Sequence, residues 1–390
     1  MTELNDLNDL SDLLSTHVRE GTVPGAVAVV VRGDDPESAV AGSIDVEGTA
    51  PMTRDSIFRL ASLTKQITAA AMMVLLEDGR LGLDDPIAKW LPELAEPKVV
   101  RTPGSPVDDV VPAVRPITVE HLLSSRAGWG FPSDFTLPAI GLIFDIQKSG
   151  LDPQHVEAPD AWLAALSCVP LLYQPGEAWL YNTCSDLQGV LIGRVTGQSF
   201  PEFLAERLFE PLGMADTAFE VPAGKRGRFT SMYRRDPDGG GLVLADAPDG
   251  QWSSLPAFPS GAGGLAGTAG DWLRFARMLL AGGTHEGRRV LTAESVRRMT
   301  TDHLSAGQRE IGELFLDGQG WGYGGSVDLA PTRPWNEPGR YGWTGGSGTA
   351  AYISPASGTI SLLLTQVAMD SPVAPPVMRD FWTYVGRSGS

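Results

Sequence analysis

The chain reads as an α/β protein in which an antiparallel sheet, built from both chain ends, is flanked by helices and carries a mostly helical insertion. Three observations predict this. Near the start, Gly25–Gly33 is a short valine-rich apolar run closed by glycine, as a buried strand requires. Near the end, Thr349–Ser354 and Thr359–Gln366 are β-rich runs joined by Pro355-Ala-Ser-Gly358, which predicts a hairpin. Between them, the apolar spacing is helical over several stretches.

Taken in chain order, Leu4, Leu7, Leu10, Leu14 and Val18 recur at helical spacing and predict an opening amphipathic helix. After Gly25–Gly33, a turn at Gly33–Pro36 leads to a second strand around Ser38–Ile44. Ser62–Leu76 is apolar on nearly every side, which predicts a helix in the middle of the protein, and Gly79 is placed to stop it. Glu96–Ile117, rich in Pro, Val and Asp, predicts an extended excursion. Helices are expected at Asp186–Val195, Phe200–Phe209 and Asp271–Leu280. Asp236–Gly270 is dominated by Gly, Pro, Ala and Ser and should be rich in loops, with Trp252 and Phe258 embedded.

The net charge of −17 makes nucleic acid and anionic membrane surfaces poor partners. The N-terminus, MTELNDLNDL, lacks the basic and apolar regions of a signal peptide, and no apolar run is long enough to span a bilayer. Cys168 and Cys184 form no metal-type spacing, and a cytoplasmic, reduced setting with free thiols is expected.

The first chemical signal is Ser62-Leu-Thr-Lys65. On a helix, positions i and i+3 share a face, so hydroxyl and amine can meet. Serine is a weak nucleophile that needs a base. A lysine inside an apolar helix is desolvated, so its pKa should fall and free it to act as one. An N-cap serine followed by a solvated lysine would give the same letters. Two features favour chemistry. The lysines are only Lys65, Lys89, Lys98, Lys148 and Lys225, and only Lys65 has a serine three residues before it. It also begins an otherwise apolar helix, where charge is costly. Competing patterns fail. No G-x-S-x-G elbow occurs, Gly345-Gly-Ser347-Gly-Thr349 ending in threonine. The five histidines lie in no triad context, and no H-E-x-x-H or C-x-x-C supports a metal.

The string Ile57-Phe-Arg-Leu-Ala-Ser62-Leu-Thr-Lys65 resembles the nucleophile block of the class C β-lactamase and family VIII carboxylesterase group of Ser-x-x-Lys hydrolases. Four further blocks resemble that group in the same order: Leu81–Ile87, Ile117–Gly128, Pro175–Thr183 and Gly263–Thr268 with Asp271. The resemblance implies a β-lactamase-like, penicillin-binding-protein-like α/β fold in one catalytic domain over residues 8–385. Its α/β part would be about 8–65 plus 285–385, and its helical part about 66–284. It also implies that Tyr181 is a catalytic tyrosine, that Lys65 lowers the pKa of its phenol, and that the backbone N–H groups of Ser62 and Gly346 form the oxyanion hole. Two departures are informative. The family's Tyr-x-Asn has Thr183 in its third position, and its Lys-Thr-Gly is represented by Trp343-Thr344-Gly345, similar to the Trp-x-Gly of family VIII esterases. A lysine there suits a substrate carboxylate, whereas tryptophan offers a flat apolar wall. Trp129, Phe131 and Phe135 are candidates for an apolar acyl pocket, or equally for the core.

The expectation is therefore a serine carboxylesterase working through a Ser62 acyl-enzyme on a small-molecule ester, with no cofactor. Within the same fold, a β-lactamase, a D-amino-acid amidase or D-peptidase, and an acyltransferase remain open. A non-catalytic ligand-binding relative is the rival of another class, and intact Ser62, Lys65 and Tyr181 speak against it.

Overall fold

The computed structural model describes residues 9–33, 35–148 and 150–387. Seven strands form the main sheet: β1 (Gly25–Arg32), β2 (Asp35–Gly42), β3 (Gly320–Trp321), β4 (Ser326–Val327), β5 (Tyr341–Gly345), β6 (Thr349–Ser354) and β7 (Thr359–Thr365). Their order is β3-β4-β5-β6-β7-β1-β2, antiparallel throughout. The seam between the two chain ends is β1 against β7, in register from Ala26 opposite Thr365 to Arg32 opposite Thr359. The predicted hairpin is β6–β7. The second strand begins at Asp35 rather than Ser38, because its pairing to β1 runs back to the tight turn at Gly33.

The valine-rich sequence of β1 follows from burial on both faces. Val27, Val29 and Val31 enter one core cluster, while Ala26, Ala28 and Val30 enter another. A strand covered on both sides loses the polar half of the alternation. The second cluster is closed by α1 (Leu10–Arg19) and the C-terminal helix, α6 (Pro376–Arg387), through Leu10, Leu13, Leu14, Phe381 and Trp382. Leu4 and Leu7 of the expected opening helix lie outside the described residues. Between these layers the other helices that matter for the site are α2 (Thr64–Glu77), α3 (Pro138–Gln147), α4 (Thr183–Thr196) and α5 (Ala269–Leu280). Helix α2 is buried from Thr64 to Leu75, as its unbroken apolar sequence requires.

Three details differ from the sequence-based expectation. The Ser62 segment starts as a 3-10 turn, Ala61–Leu63, that runs into α2. The excursion at Glu96–Ile117 contains a short ribbon, Lys98–Val100 against Val110–Pro112. Helix α5, inside the span expected to form the helical part, packs against β1, β6 and β7, so the cover of the sheet draws on that span too. Among the described residues, no helix is long and apolar enough to cross a membrane.

Candidate active site

Ser62 is held beside the β5–β6 hairpin. The strand Ile57–Arg59 pairs with Ala266–Thr268 and delivers the chain to the 3-10 turn. The guanidinium of Arg59 is buried against the Asp246 carboxylate and donates to the Thr230 carbonyl at 2.6 Å. On the other side, the turn after β5 grips the same backbone. Ser347 Oγ donates to the Arg59 carbonyl at 2.5 Å, and Thr349 Oγ1 to the Leu60 carbonyl at 3.0 Å. Gly345 is required here: a Cβ at that position would lie 2.6 Å from the Leu60 carbonyl oxygen. Ala61, one residue before the serine, is forced to φ +46°, a conformation that non-glycine residues adopt at a cost of about 1–2 kcal/mol.

The hydroxyl of Ser62 lies between two groups. Lys65 Nζ is 2.9 Å from Ser62 Oγ, and the Tyr181 hydroxyl donates to the same oxygen at 2.7 Å. Lys65 is one turn along the helix and 1% exposed. Its amine donates to Asn182 Oδ1 at 2.7 Å and to the Ala262 carbonyl at 2.6 Å, and it lies 4.6 Å from the centre of the Tyr181 ring. Tyr181 is presented by a bridge to Phe131 on one side and by the start of α4 on the other. Asn182, between Tyr181 and α4, has φ +83° and ψ −66°, and Thr183 N–H donates back to the Tyr181 carbonyl at 3.2 Å. This is the rare, strained γ-turn with positive φ, and it turns the chain sharply enough to put Tyr181 and Asn182 on one amine.

Burial sets the protonation states. It pushes the Lys65 amine down to about 7, against a smaller opposing pull from Asp186. Burial pushes the Tyr181 phenol up to about 12, despite its hydrogen bonds with Ser62 and Trp343. The expected lowering of the phenol is therefore reversed. A phenolate here would be stripped of water, and the amine beside it is itself driven toward neutrality and offers little cation to stabilise it.

The remaining sequence candidates separate into those on the serine cavity and those elsewhere. A cavity of about 390 Å³ opens beside Ser62. Phe131 lines it, with Phe144, Leu151, Val156, Phe258 and Met369 as further apolar wall, and Gly346 and Ser347 close one side. Trp129 does not reach it. That side chain is buried in the core with its indole N–H on the Val169 carbonyl at 2.9 Å. Thr183 is fully buried behind Asn182. Trp343 is 4% exposed, and its indole N–H donates to the Tyr181 hydroxyl at 2.8 Å. It is packed among Trp179, Leu304, Leu316 and Trp321, so it supports the tyrosine more than it walls the serine cavity. Trp343 and Thr344 line a second cleft, about 560 Å³, whose walls among the described residues do not include Ser62. Phe135 stacks on Phe144, meets Phe315 edge-on and is 39% exposed.

Sequence reasoning missed Asn182, Asp186, Ser260 and Ala262. Two of them carried a signal. Asn182 directly follows Tyr181, and asparagine tolerates positive φ better than most residues. Asp186 is an acid in a helix buried on nearly every side, the same anomaly that singled out Lys65.

The chain that carries this serine hydroxyl between an amine and a phenol is similar to known proteins over nearly its whole length. The profile of the Beta-lactamase family matches residues 10–376. The chain belongs to the Beta-lactamase family. Within it, the chain is 38% identical over 340 residues to Protein Rv1367c of Mycobacterium tuberculosis, covering 85% of this chain and 82% of that one. It is 31% identical over 378 residues to Esterase EstB of Burkholderia gladioli, covering 92% of this chain and 90% of that one. The solved structure of EstCE1, a hydrolase with promiscuous acyltransferase activity, shares the fold at a TM-score of 0.78 and 24% identity, covering 96% of this chain and 97% of that one. As a Beta-lactamase-family protein the chain is a serine hydrolase of the β-lactamase and penicillin-binding-protein fold, and both the expected resemblance and the expected fold class hold.

Proposed function

We propose that this protein is a serine carboxylesterase of the family VIII kind that works through a Ser62 acyl-enzyme. The observation that carries the reading is the pair of contacts on Ser62 Oγ, 2.9 Å to the Lys65 amine and 2.7 Å to the Tyr181 hydroxyl, at the mouth of an apolar cavity. A neutral amine has two N–H groups and one lone pair. Asn182 Oδ1 and the Ala262 carbonyl take the two N–H groups, so the lone pair is left for the serine proton. The phenol already donates to Ser62 Oγ, which turns the serine O–H toward Lys65.

Lys65 then acts as the base: it takes the serine proton as Oγ attacks the ester carbonyl. The oxyanion is received by the N–H groups of Ser62 and Gly346. Ser62 precedes the first backbone bond of its turn, Leu63 N–H to the Leu60 carbonyl, so its own N–H is among the free donors of a helix start. Tyr181 hands a proton to the departing alkoxide and recovers one from the Lys65 ammonium. Water then enters and the same groups hydrolyse the acyl-enzyme.

Esters are favoured over carboxylate-bearing amides because Trp343 stands where the family's lysine would meet a carboxylate. Among the described residues, the one cation on the cavity wall is the exposed Lys148 at the rim, while Lys65, off the wall, is committed to Ser62. A carboxylate buried without a partner costs several kcal/mol, while an apolar acyl chain gains roughly 25 cal/mol per Å² buried. The name of Esterase EstB agrees with this choice. The test is kcat/KM for p-nitrophenyl esters of increasing acyl length beside a chromogenic cephalosporin, with Ser62→Ala as control. Esters should turn over much faster and Ser62→Ala should be inactive. A preference for the cephalosporin over every ester would replace this reading with the β-lactamase alternative.

A further inference from the structure

The acceptors that fix the Lys65 amine come from two separate elements. Asn182 precedes α4, and Ala262 belongs to the turn Ser260–Gly263. One side chain joins them. Asp186, one helical turn beyond Asn182, is 5% exposed. Its Oδ1 accepts from Ser260 Oγ at 2.6 Å and from Ala262 N–H at 3.1 Å, and its Oδ2 accepts from Gln147 Nε2 at 3.2 Å. Ala262 is thus held at both ends, its N–H on Asp186 and its carbonyl on Lys65. Ser260 Oγ, which donates to Asp186, also accepts from Ala262 N–H at 3.2 Å and Gly263 N–H at 3.1 Å, so the turn is tied to the carboxylate through one hydroxyl.

The charged groups around this cluster are few. Helix α2 contributes Lys65, α4 contributes Asp186, α3 contributes the neutral Gln147, and the turn contributes the neutral Ser260. Tyr181 is a phenol, and Lys148 lies exposed at the cavity rim. Once Lys65 is protonated, it and Asp186 are opposite charges in a buried site, where each ionised form is favoured by the other and burial opposes both.

We propose that Asp186 is a positioning residue of the acylation step, holding the Ala262 carbonyl on Lys65 and supplying the negative charge that the Lys65 ammonium faces once it has taken the serine proton. This rests on the reading of Lys65 as the base. It separates two contributions: a tether made by hydrogen bonds, and a charge that keeps the amine basic enough to accept the proton.

The experiment is the pH dependence of kcat/KM for one p-nitrophenyl ester in the wild type, Asp186→Asn, Ser260→Ala and Lys65→Ala. Asp186→Asn keeps an oxygen acceptor for Ser260 and Ala262 but removes the charge. Lys65 should then lose its proton more easily, so the acidic limb should move to lower pH by roughly one unit, and the plateau should drop about tenfold or more because the amine is a weaker base. Ser260→Ala keeps the charge and loosens the turn, so kcat should fall while the limb stays in place. An unmoved limb in Asp186→Asn, with Lys65→Ala inactive, overturns the role of Asp186 and leaves the base reading standing. Substantial turnover by Lys65→Ala overturns both. If Asp186→Asn fails to fold, Ser260→Ala decides alone: kcat equal to the wild type rejects the tether.

Discussion

Replacing Lys65 with methionine should change how the stability of this protein depends on pH. Burial holds the Lys65 amine at about 7 in the folded state, against an ordinary value of 10.5. Between those two values the unfolded chain carries a proton at this position that the folded chain does not. Unfolding therefore takes up a proton, and stability must rise with pH across that window, by about 1.4 kcal/mol per pH unit for one group. From pH 7.5 to pH 9.5 this is an increment of about 2–3 kcal/mol. Below pH 7 both states are protonated and the full burial cost is present. In Lys65→Met the contribution vanishes. The hydrogen bonds lost at Asn182 and Ala262 shift the variant by an amount that does not depend on pH, so they drop out of the comparison. The assay is urea unfolding of both proteins at five pH values between 6 and 9.5, with the difference in unfolding free energy plotted against pH. The difference should be flat near pH 6 and should then climb in favour of the wild type. Parallel curves up to pH 9.5 would mean that Lys65 is an ordinary ammonium in the folded protein, and the amine could not be the base at neutral pH. The same group should govern catalysis, so kcat/KM should rise with pH through about 7.

Three further outcomes are expected. Asn182→Gly and Asn182→Ala both remove an acceptor from Lys65 and should each lower kcat. The alanine variant should also melt at the lower temperature of the two, since only glycine adopts φ +83° freely, and equal melting temperatures would argue against strain at this turn. Trp343→Phe deletes the donor to the Tyr181 hydroxyl and should lower kcat by roughly fivefold with little change in KM, a neutral hydrogen bond being worth about 1 kcal/mol; unaltered kcat would make Trp343 a packing residue only. Phe144→Ala should raise KM about tenfold for long acyl esters and leave acetate esters unaffected, from roughly 50 Å² of lost apolar contact at 25 cal/mol per Å², with stability little changed because the side chain is 47% exposed. Equal effects on acetate and on long chains would remove Phe144 from the acyl wall.

What could be read from the sequence was whatever the chain keeps local. Ser62 and Lys65 share a helix face by spacing alone, and the strands that build β1, β6 and β7 announce themselves by composition. Features that depend on distant segments could not be read in this way. Trp129 and Phe131 are two residues apart, yet Trp129 turns into the core toward Val169 while Phe131 faces the cavity, because the bridge to Tyr181 fixes the direction of the strand there. The walls at Phe258 and Met369 come from segments more than a hundred residues from Phe131, and no periodicity connects them. In sequence, Trp343 presents a flat apolar wall in place of a lysine. Its partner is instead a phenol 162 residues away. The rise of the Tyr181 pKa was hidden for a related reason: a charged lysine near a phenol would lower it, and only the depth of burial drives this lysine toward neutrality and the phenol up.

The site also explains why the sheet is closed by both chain ends. Two strained residues flank the reacting groups, Ala61 before the serine and Asn182 after the tyrosine. Neither conformation would persist in an isolated segment, since strain of this kind survives only where surrounding contacts over-determine it. For Ala61 those contacts are the hydroxyls of Ser347 and Thr349 on the carbonyls of Arg59 and Leu60, made across 288 and 289 residues of chain. For Asn182 they are the Lys65 amine, 117 residues earlier, and the helix that follows. The turn after β5 therefore has two tasks. It brings Gly346 to the cavity wall, and it clamps the backbone that presents Ser62. Ser62 and Gly346 therefore share one cavity because the β5–β6 hairpin is docked beside the Ser62 turn.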